Sequence, residues 1–141
     1  MITSKIKKIT RGKKKTTVYT ISNVREHHNY VANRVVNRNC DEAIRFACVE
    51  ENSLVKTPLG LVPIKELEGK KKFEVYSFNE QTQQEEIQIA EQCVKVKEDV
   101  VYEIETEDGQ KIQATKEHKF LTTTGWKILE ELKDGDSIIT T

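Results

Sequence analysis

Residues Val100 to Trp126 read VVYEIETEDGQKIQATKEHKFLTTTGW, and this stretch decides the fold. Tyr102, Ile104 and Thr106 alternate with Glu103, Glu105 and Glu107, the period-two pattern of a strand with one wet face. Asp108-Gly109 then gives a short hairpin signal, because both residue types accept the positive φ that a tight turn demands. Lys111 to Thr115 returns as the partner strand. Phe120 to Thr123 forms another before Thr124-Gly125.

Outward from this stretch the pattern repeats. Thr16–Val24 (TTVYTISNV) is rich in β-branched and aromatic residues. Tyr30–Ala32 and Arg34–Val36 are two short strands with Asn33 between them. Ser53–Thr57 and Leu61–Ile64 flank Pro58-Leu59-Gly60 as a hairpin. Phe73–Phe78, Glu86–Lys97 and Ser137–Thr140 complete the strands, with Asn79–Gln84 as a polar turn. Helix is confined to one turn at Ile64–Leu67 and a short segment at Trp126–Leu132, where Trp126, Leu129 and Leu132 recur every three residues. Many short strands with turns between them predict an all-β domain.

The chain has 141 residues, 33% of them charged and 36% hydrophobic, which suits one domain with a modest core. No apolar run approaches the roughly 20 residues of a membrane-spanning helix, so no membrane role is expected. Cys40, Cys48 and Cys93 are too few for a disulfide framework, and a reducing, cytoplasmic setting is the default. The zero net charge hides a division. Residues 1–39 carry +9, residues 40–47 carry −1, and residues 48–141 carry −8. Such a division fits either a basic arm for nucleic acid or two oppositely charged pieces that attract each other.

Reactive residues gather in one segment. Asn39-Cys40 and Ala47-Cys48 stand eight positions apart. An Asn amide can attack its own backbone carbonyl, breaking the chain and leaving a succinimide. A Cys thiol can attack the carbonyl of the preceding residue and turn an amide into a thioester. Both steps need positioning, proton transfer and charge stabilisation to become fast. Taken alone, these cysteines read first as buried apolar residues. Cys93 fits no motif and is read as structural.

The surroundings resemble the intein, or hedgehog–intein (Hint), family. Ser53 to Leu67 after Cys48 (SLVKTPLGLVPIKEL) is similar to the family's first block. Asp108–Trp126 is similar to its second, with Thr115 and His118 in the Thr-x-x-His. Val18–Asn39 (VYTISNVREHHNYVANRVVNRN) resembles the two closing blocks, ending on Asn39. The closing blocks here come first. The order therefore resembles a split mini-intein whose C-terminal segment, 1–39, is fused ahead of its N-terminal segment, 48–141, with 40–47 as an extein-derived bridge. Such an order is the one a circular permutant of the family would have.

The resemblance implies a single horseshoe-like Hint domain with the two junctions meeting at its centre and both chain ends at one surface site. It implies that Cys48 attacks the Ala47 carbonyl, that His118 protonates the leaving amine, and that the Thr115 hydroxyl lies near the oxyanion. Cys40 would take the acyl group, Asn39 would cyclise and cut the 39–40 bond with His28 as acid or base, and residues 40–47 would leave as a cyclic octapeptide. It implies no cofactor and no metal, a monomer, and self-association of the basic and acidic segments in place of nucleic-acid binding. Host extein sequences would be the only other partner.

Two residues depart from the family's pattern. Arg38 stands where a His usually precedes the last Asn, and Thr20 where an Asp usually follows Val-Tyr. These favour, as the alternative, a stalled or self-cleaving-only module. Zinc held by Cys40, Cys48 and a nearby His is a side possibility, since thiolate and imidazole suit that ion.

Overall fold

A computed structural model describes residues 2–39 and 48–141. Cys40 and Ala47, two of the expected reacting positions, lie outside the described residues.

Among the described residues, twelve strands, all paired antiparallel, form the domain. In chain order they are β1 (Ile2–Val24), β2 (Asn29–Ala32), β3 (Val35–Arg38), β4 (Val49–Glu50), β5 (Leu54–Thr57) and β6 (Gly60–Pro63). There follow β7 (Lys71–Asn79), β8 (Gln84–Thr106), β9 (Lys111–Ala114), β10 (Lys119–Thr122), β11 (Gly125–Ile128) and β12 (Ser137–Thr140). The expected hairpins at Pro58–Gly60 and Asp108-Gly109 are present, and so is the helical turn Ile64–Leu67, a 3-10 turn that buries Ile64 and Leu67.

β1 and β8, of 23 residues each, are the spine. Their pairing runs from Ile6↔Thr106 to Val24↔Ala90. The basic start of the chain is therefore half of a long ribbon whose other half is acidic, and Lys8 reaches Glu105 at 3.7 Å. Such an exposed pair stabilises by at most about 1 kcal/mol. Register comes instead from the backbone ladder and from the inward side chains Ile6, Val18, Ile21 and Ile104. The ribbon has three irregularities, the first an extra residue, Lys7, on β1 between Ile6↔Thr106 and Lys8↔Glu105. Gly12 to Lys14 bulges between Arg11↔Tyr102 and Lys15↔Val100, and a Cβ on Gly12 would lie 2.6 Å from the Val101 carbonyl oxygen. Further along, Val18 and Tyr19 face Lys97 and Lys95, so Val96 is an extra residue on β8. That bulge turns Val96 toward the cluster of Val18, Cys48 and Val101.

Three expectations are corrected. Glu86–Lys97 and Val100–Glu107 are one continuous strand, because β1 supplies partners through the charged Lys97-Glu98-Asp99 step. The strand expected at Thr16–Val24 extends back to Ile2, so the basic start of the chain is strand as well. Trp126–Leu132 is no helix: Gly125–Ile128 is strand β11, with Leu121↔Trp126 in register against β10, and only Leu129–Glu131 turns as 3-10. A spacing of three fits a short strand followed by a 3-10 turn as well as it fits a helix, and the hairpin pairing decides.

The β2–β3 connection is the two-residue turn Asn33-Arg34, with φ of 50° and 64°. Both central residues are left-handed, as the hairpin turns that match strand twist require. At the opposite end, Ile2 pairs with Thr140, so the two ends of the described chain lie side by side, as expected.

Candidate functional site

The site forms where three strand ends converge. β4 begins immediately after Cys48 and is held between β1 (Tyr19↔Val49) and β9 (Val49↔Ala114). Cys48 is 0% exposed, packed with Val18 and Val101. The residue after β9 is Thr115, also buried. Its amide donates to the Cys48 carbonyl at 2.9 Å, extending the β4–β9 ladder by one step. The Cys48 amide in turn donates to Thr115 Oγ1 at 3.0 Å, and the Thr115 hydroxyl donates to the Cys48 carbonyl at 3.3 Å. Thr115 is thus hydrogen-bonded to the nitrogen that would leave when the 47–48 bond breaks.

His118 follows on a tight turn, its amide donating to the Thr115 carbonyl at 3.1 Å. Its ring is 0% exposed and meets the edge of Phe120 at a centroid distance of 4.8 Å. Its Nε2 lies 2.9 Å from Asn37 Oδ1. The meeting is set by strand register, since Phe120 on β10 pairs with Asn37 on β3.

Asn39 lies just past β3 and is buried. Its amide donates to the His28 carbonyl at 3.1 Å. The structure therefore brings His28 beside Asn39 through its backbone. The His28 side chain is exposed, at the end of a turn in which Glu26 and His28 both have positive φ. His27 hydrogen-bonds Glu86 at 2.8 Å, and this contact is the first cause holding the Glu86 carboxyl below its ordinary range. Glu26, His27 and Glu86 place one ligand atom each within 4.8 Å of one another at the surface, and these are the described residues best disposed to hold a cation.

Three further residues bear on the expectations. Arg38 points to the opposite face of β3 from Asn37, and its guanidinium sits over the Trp126 ring at 5.8 Å from the centroid. Thr20 is buried on β1. Cys93 is buried, its thiol directed at the Ile64 carbonyl at 3.5 Å and pushed up to about 12 by burial and, secondarily, by Glu68, so it stays a thiol.

Sequence reasoning missed two asparagines. Asn29 is 0% exposed. It donates to the His27 and Phe78 carbonyls at 3.1 and 3.0 Å, and accepts from Ser77 Oγ at 2.9 Å and the Phe78 amide at 2.7 Å. It ties the His28 turn to β7. Asn37 is likewise 0% exposed. The signal for both was available: an amide inside an apolar strand must be buried with partners or not at all.

The model of the intein splicing domain family matches residues 53–141, more than half of the chain. The chain belongs to the intein splicing-domain family. Among curated proteins, this intein is 40% identical over 87 residues to the replicative DNA helicase DnaB of Nostoc sp., a match covering 60% of this chain and 10% of that protein. It is 37% identical over 92 residues to the DnaB helicase of Rhodothermus marinus, covering 63% of this chain and again 10% of the relative. The chain thus spans about a tenth of the length of the curated relatives it matches. Among solved structures, a crystal structure of an Ssp DnaB mini-intein variant superposes with a TM-score of 0.59 at 38% identity, covering 62% of this chain and 55% of that one. The all-β Hint fold expected from the sequence is the fold of this intein.

Proposed function

We propose that this intein excises and cyclises residues 40–47. The observation that carries the reading is the pair of hydrogen bonds locking Thr115 to the backbone of Cys48, in a buried site that also holds His118. The order of segments supports it too: the family match begins after Cys48, while the Asn39 segment lies on the N-terminal side.

The Cys48 thiol adds to the Ala47 carbonyl, and the carbon–nitrogen bond breaks. A thioester remains on Cys48 Sγ, and the freed Cys48 amine receives a proton from His118. Because Thr115 Oγ1 accepts from that nitrogen's N–H, it orients the leaving group while His118 handles the proton. Cys40 then attacks the thioester, and residues 48–141 depart with a free thiol and amine. Asn39 Nδ2 attacks its own carbonyl, the 39–40 bond breaks, and a succinimide closes residue 39. Finally the freed Cys40 amine displaces its own thioester sulfur, closing a cyclic octapeptide. No water or oxidant is consumed. The His28 carbonyl, accepting from the Asn39 amide, fixes the backbone of the cyclising residue. Its exposed imidazole is the acid or base of this step.

The Arg38–Trp126 contact favours a second reading, a module that forms the thioester but ligates poorly. A guanidinium held over an indole cannot relay protons near neutral pH.

Intact-mass spectrometry of freshly purified protein, with and without a mild thiol, tests both. Splicing yields residues 1–39 ending in succinimide, residues 48–141, and an octapeptide one water lighter than its linear form. Thiol-dependent cleavage at 47–48 with no cyclic product selects the second reading. An unchanged full-length mass under both conditions defeats both.

A further inference from the structure

Asn37 interrupts the apolar run of β3, and its side chain is wholly inside the protein. Both ends of its amide are engaged. Nδ2 donates to the Val35 carbonyl at 2.8 Å and to the Ala32 carbonyl at 3.3 Å. Carbonyl oxygens only accept, so these two contacts determine which end of the amide is nitrogen. The other end, Oδ1, also only accepts, and it faces His118 Nε2 at 2.9 Å. The hydrogen of that bond must therefore be on His118.

We propose that Asn37 is a positioning residue for His118: it holds the imidazole as the Nε2–H tautomer and leaves Nδ1 as the only ring nitrogen that can take up and release a proton. The inference rests on the role given to His118 above. Its physical basis is that a neutral imidazole has one donor and one acceptor nitrogen, and a fixed acceptor beside one of them selects the tautomer. The ring has little freedom to escape. Phe120 lies edge-on against it, and its backbone is anchored at both polar groups, the amide to the Thr115 carbonyl and the carbonyl to the Leu129 amide at 2.8 Å. The Asn37 amide is anchored just as firmly by a two-residue turn and its own strand. A proton at Nδ1 would make the ring cationic while keeping the Nε2–H···Oδ1 bond, so the proton cycle needs no movement of Asn37.

The test uses the full chain carrying Cys48→Ala and Asn39→Ala, which block both chain-breaking steps, labelled with 15N-histidine, which gives three imidazoles to assign. The expected spectrum at neutral pH shows His118 as the Nε2–H tautomer. Asn37→Leu removes the acceptor at similar volume, and a tautomer mixture is expected. Asn37→Asp keeps the acceptor and adds charge, and is expected to retain Nε2–H with the His118 titration midpoint moved upward. In chains with Cys48 intact, thiol-triggered cleavage at 47–48 should fall roughly 10- to 100-fold in Asn37→Leu. In Asn37→Asp the pH–rate profile should shift upward with the midpoint. A parent chain showing Nδ1–H at His118 overturns the proposal, as does a folded Asn37→Leu that leaves tautomer and rate unchanged. Should Asn37→Leu fail to fold, an unmoved midpoint in Asn37→Asp overturns it alone. A parent chain that never cleaves refutes the splicing reading only, since the tautomer is read without cleavage.

Discussion

Replacing Asn29 by Ala should cost this small domain a large share of its stability. The side chain makes four hydrogen bonds, three of them with β7 groups at Ser77 and Phe78. Truncation strands the Phe78 amide and carbonyl and leaves the fully buried Ser77 hydroxyl with one partner fewer. Each buried group left unpaired costs about 1–3 kcal/mol, and the carbonyls, with two lone pairs, sit at the low end. Some relief comes from water entering the space the amide vacates. The sum is about 3–5 kcal/mol, against a total stability on the order of 5–15 kcal/mol. With an unfolding entropy of about 2.1 cal/mol/K per residue, this lowers the melting temperature by roughly 10–17 °C. The measurement is thermal and urea unfolding of Asn29→Ala in the Cys48→Ala chain, with Asn79→Ala as a more exposed amide for comparison. A loss below about 1 kcal/mol would refute the reasoning, because it would mean that these groups find water or other partners at no cost. The same variant frees the His28 turn from β7, and thereby the carbonyl that holds the Asn39 amide.

Thr115→Val keeps the shape but removes the acceptor for the Cys48 amide. Thiol-triggered cleavage at 47–48 should drop roughly 10- to 100-fold while the melting temperature moves by only a few degrees, as mass spectrometry and calorimetry would read. Asp108 accepts from Thr106 and Ser4, and these contacts, Thr106 foremost, hold its carboxyl below its ordinary value. The stability this provides is present above the unfolded value of about 3.9 and is lost as pH falls through the lower folded value. Asp108→Asn should therefore flatten acid unfolding below about pH 4 and leave its shape unchanged at pH 7. Arg34→Gly removes a left-handed non-glycine residue from the β2–β3 turn. The strain relieved, about 1–2 kcal/mol, exceeds the entropy cost of Gly and the exposed bond from Arg34 Nε to the Thr141 carbonyl, so a gain of up to about 1 kcal/mol is expected in urea unfolding. A loss of more than about 1 kcal/mol would instead mean that the Thr141 contact outweighs the turn strain.

The strands, the hairpins at Pro58–Gly60 and Asp108-Gly109, the turn at Ile64–Leu67 and the family of the segment that holds Thr115 and His118 were legible in the sequence because each is a local statement. Period-two alternation, turn chemistry and motif spacing depend on neighbours along the chain. The joining of 86–97 with 100–107 was not local: it depends on β1 supplying hydrogen bonds across a charged step that looks like a break when read alone. The same holds for Trp126–Leu132, where pairing with β10 outweighed a three-residue spacing. Asn29, Asn37 and the Arg38–Trp126 stack depended most on three dimensions. A buried amide announces itself in a sequence only as an anomaly, and its distant partners (Phe78 for Asn29, His118 for Asn37) are chosen by packing and register between strands far apart in the chain. Motif spacing named Thr115 and His118. Tertiary structure alone decided that Thr115 grips the Cys48 nitrogen, that His28 meets Asn39 through its carbonyl, and that an asparagine lies behind the histidine. Hydrogen bonds act over about 3 Å, and only folding brings residues 67 or 81 positions apart within that distance.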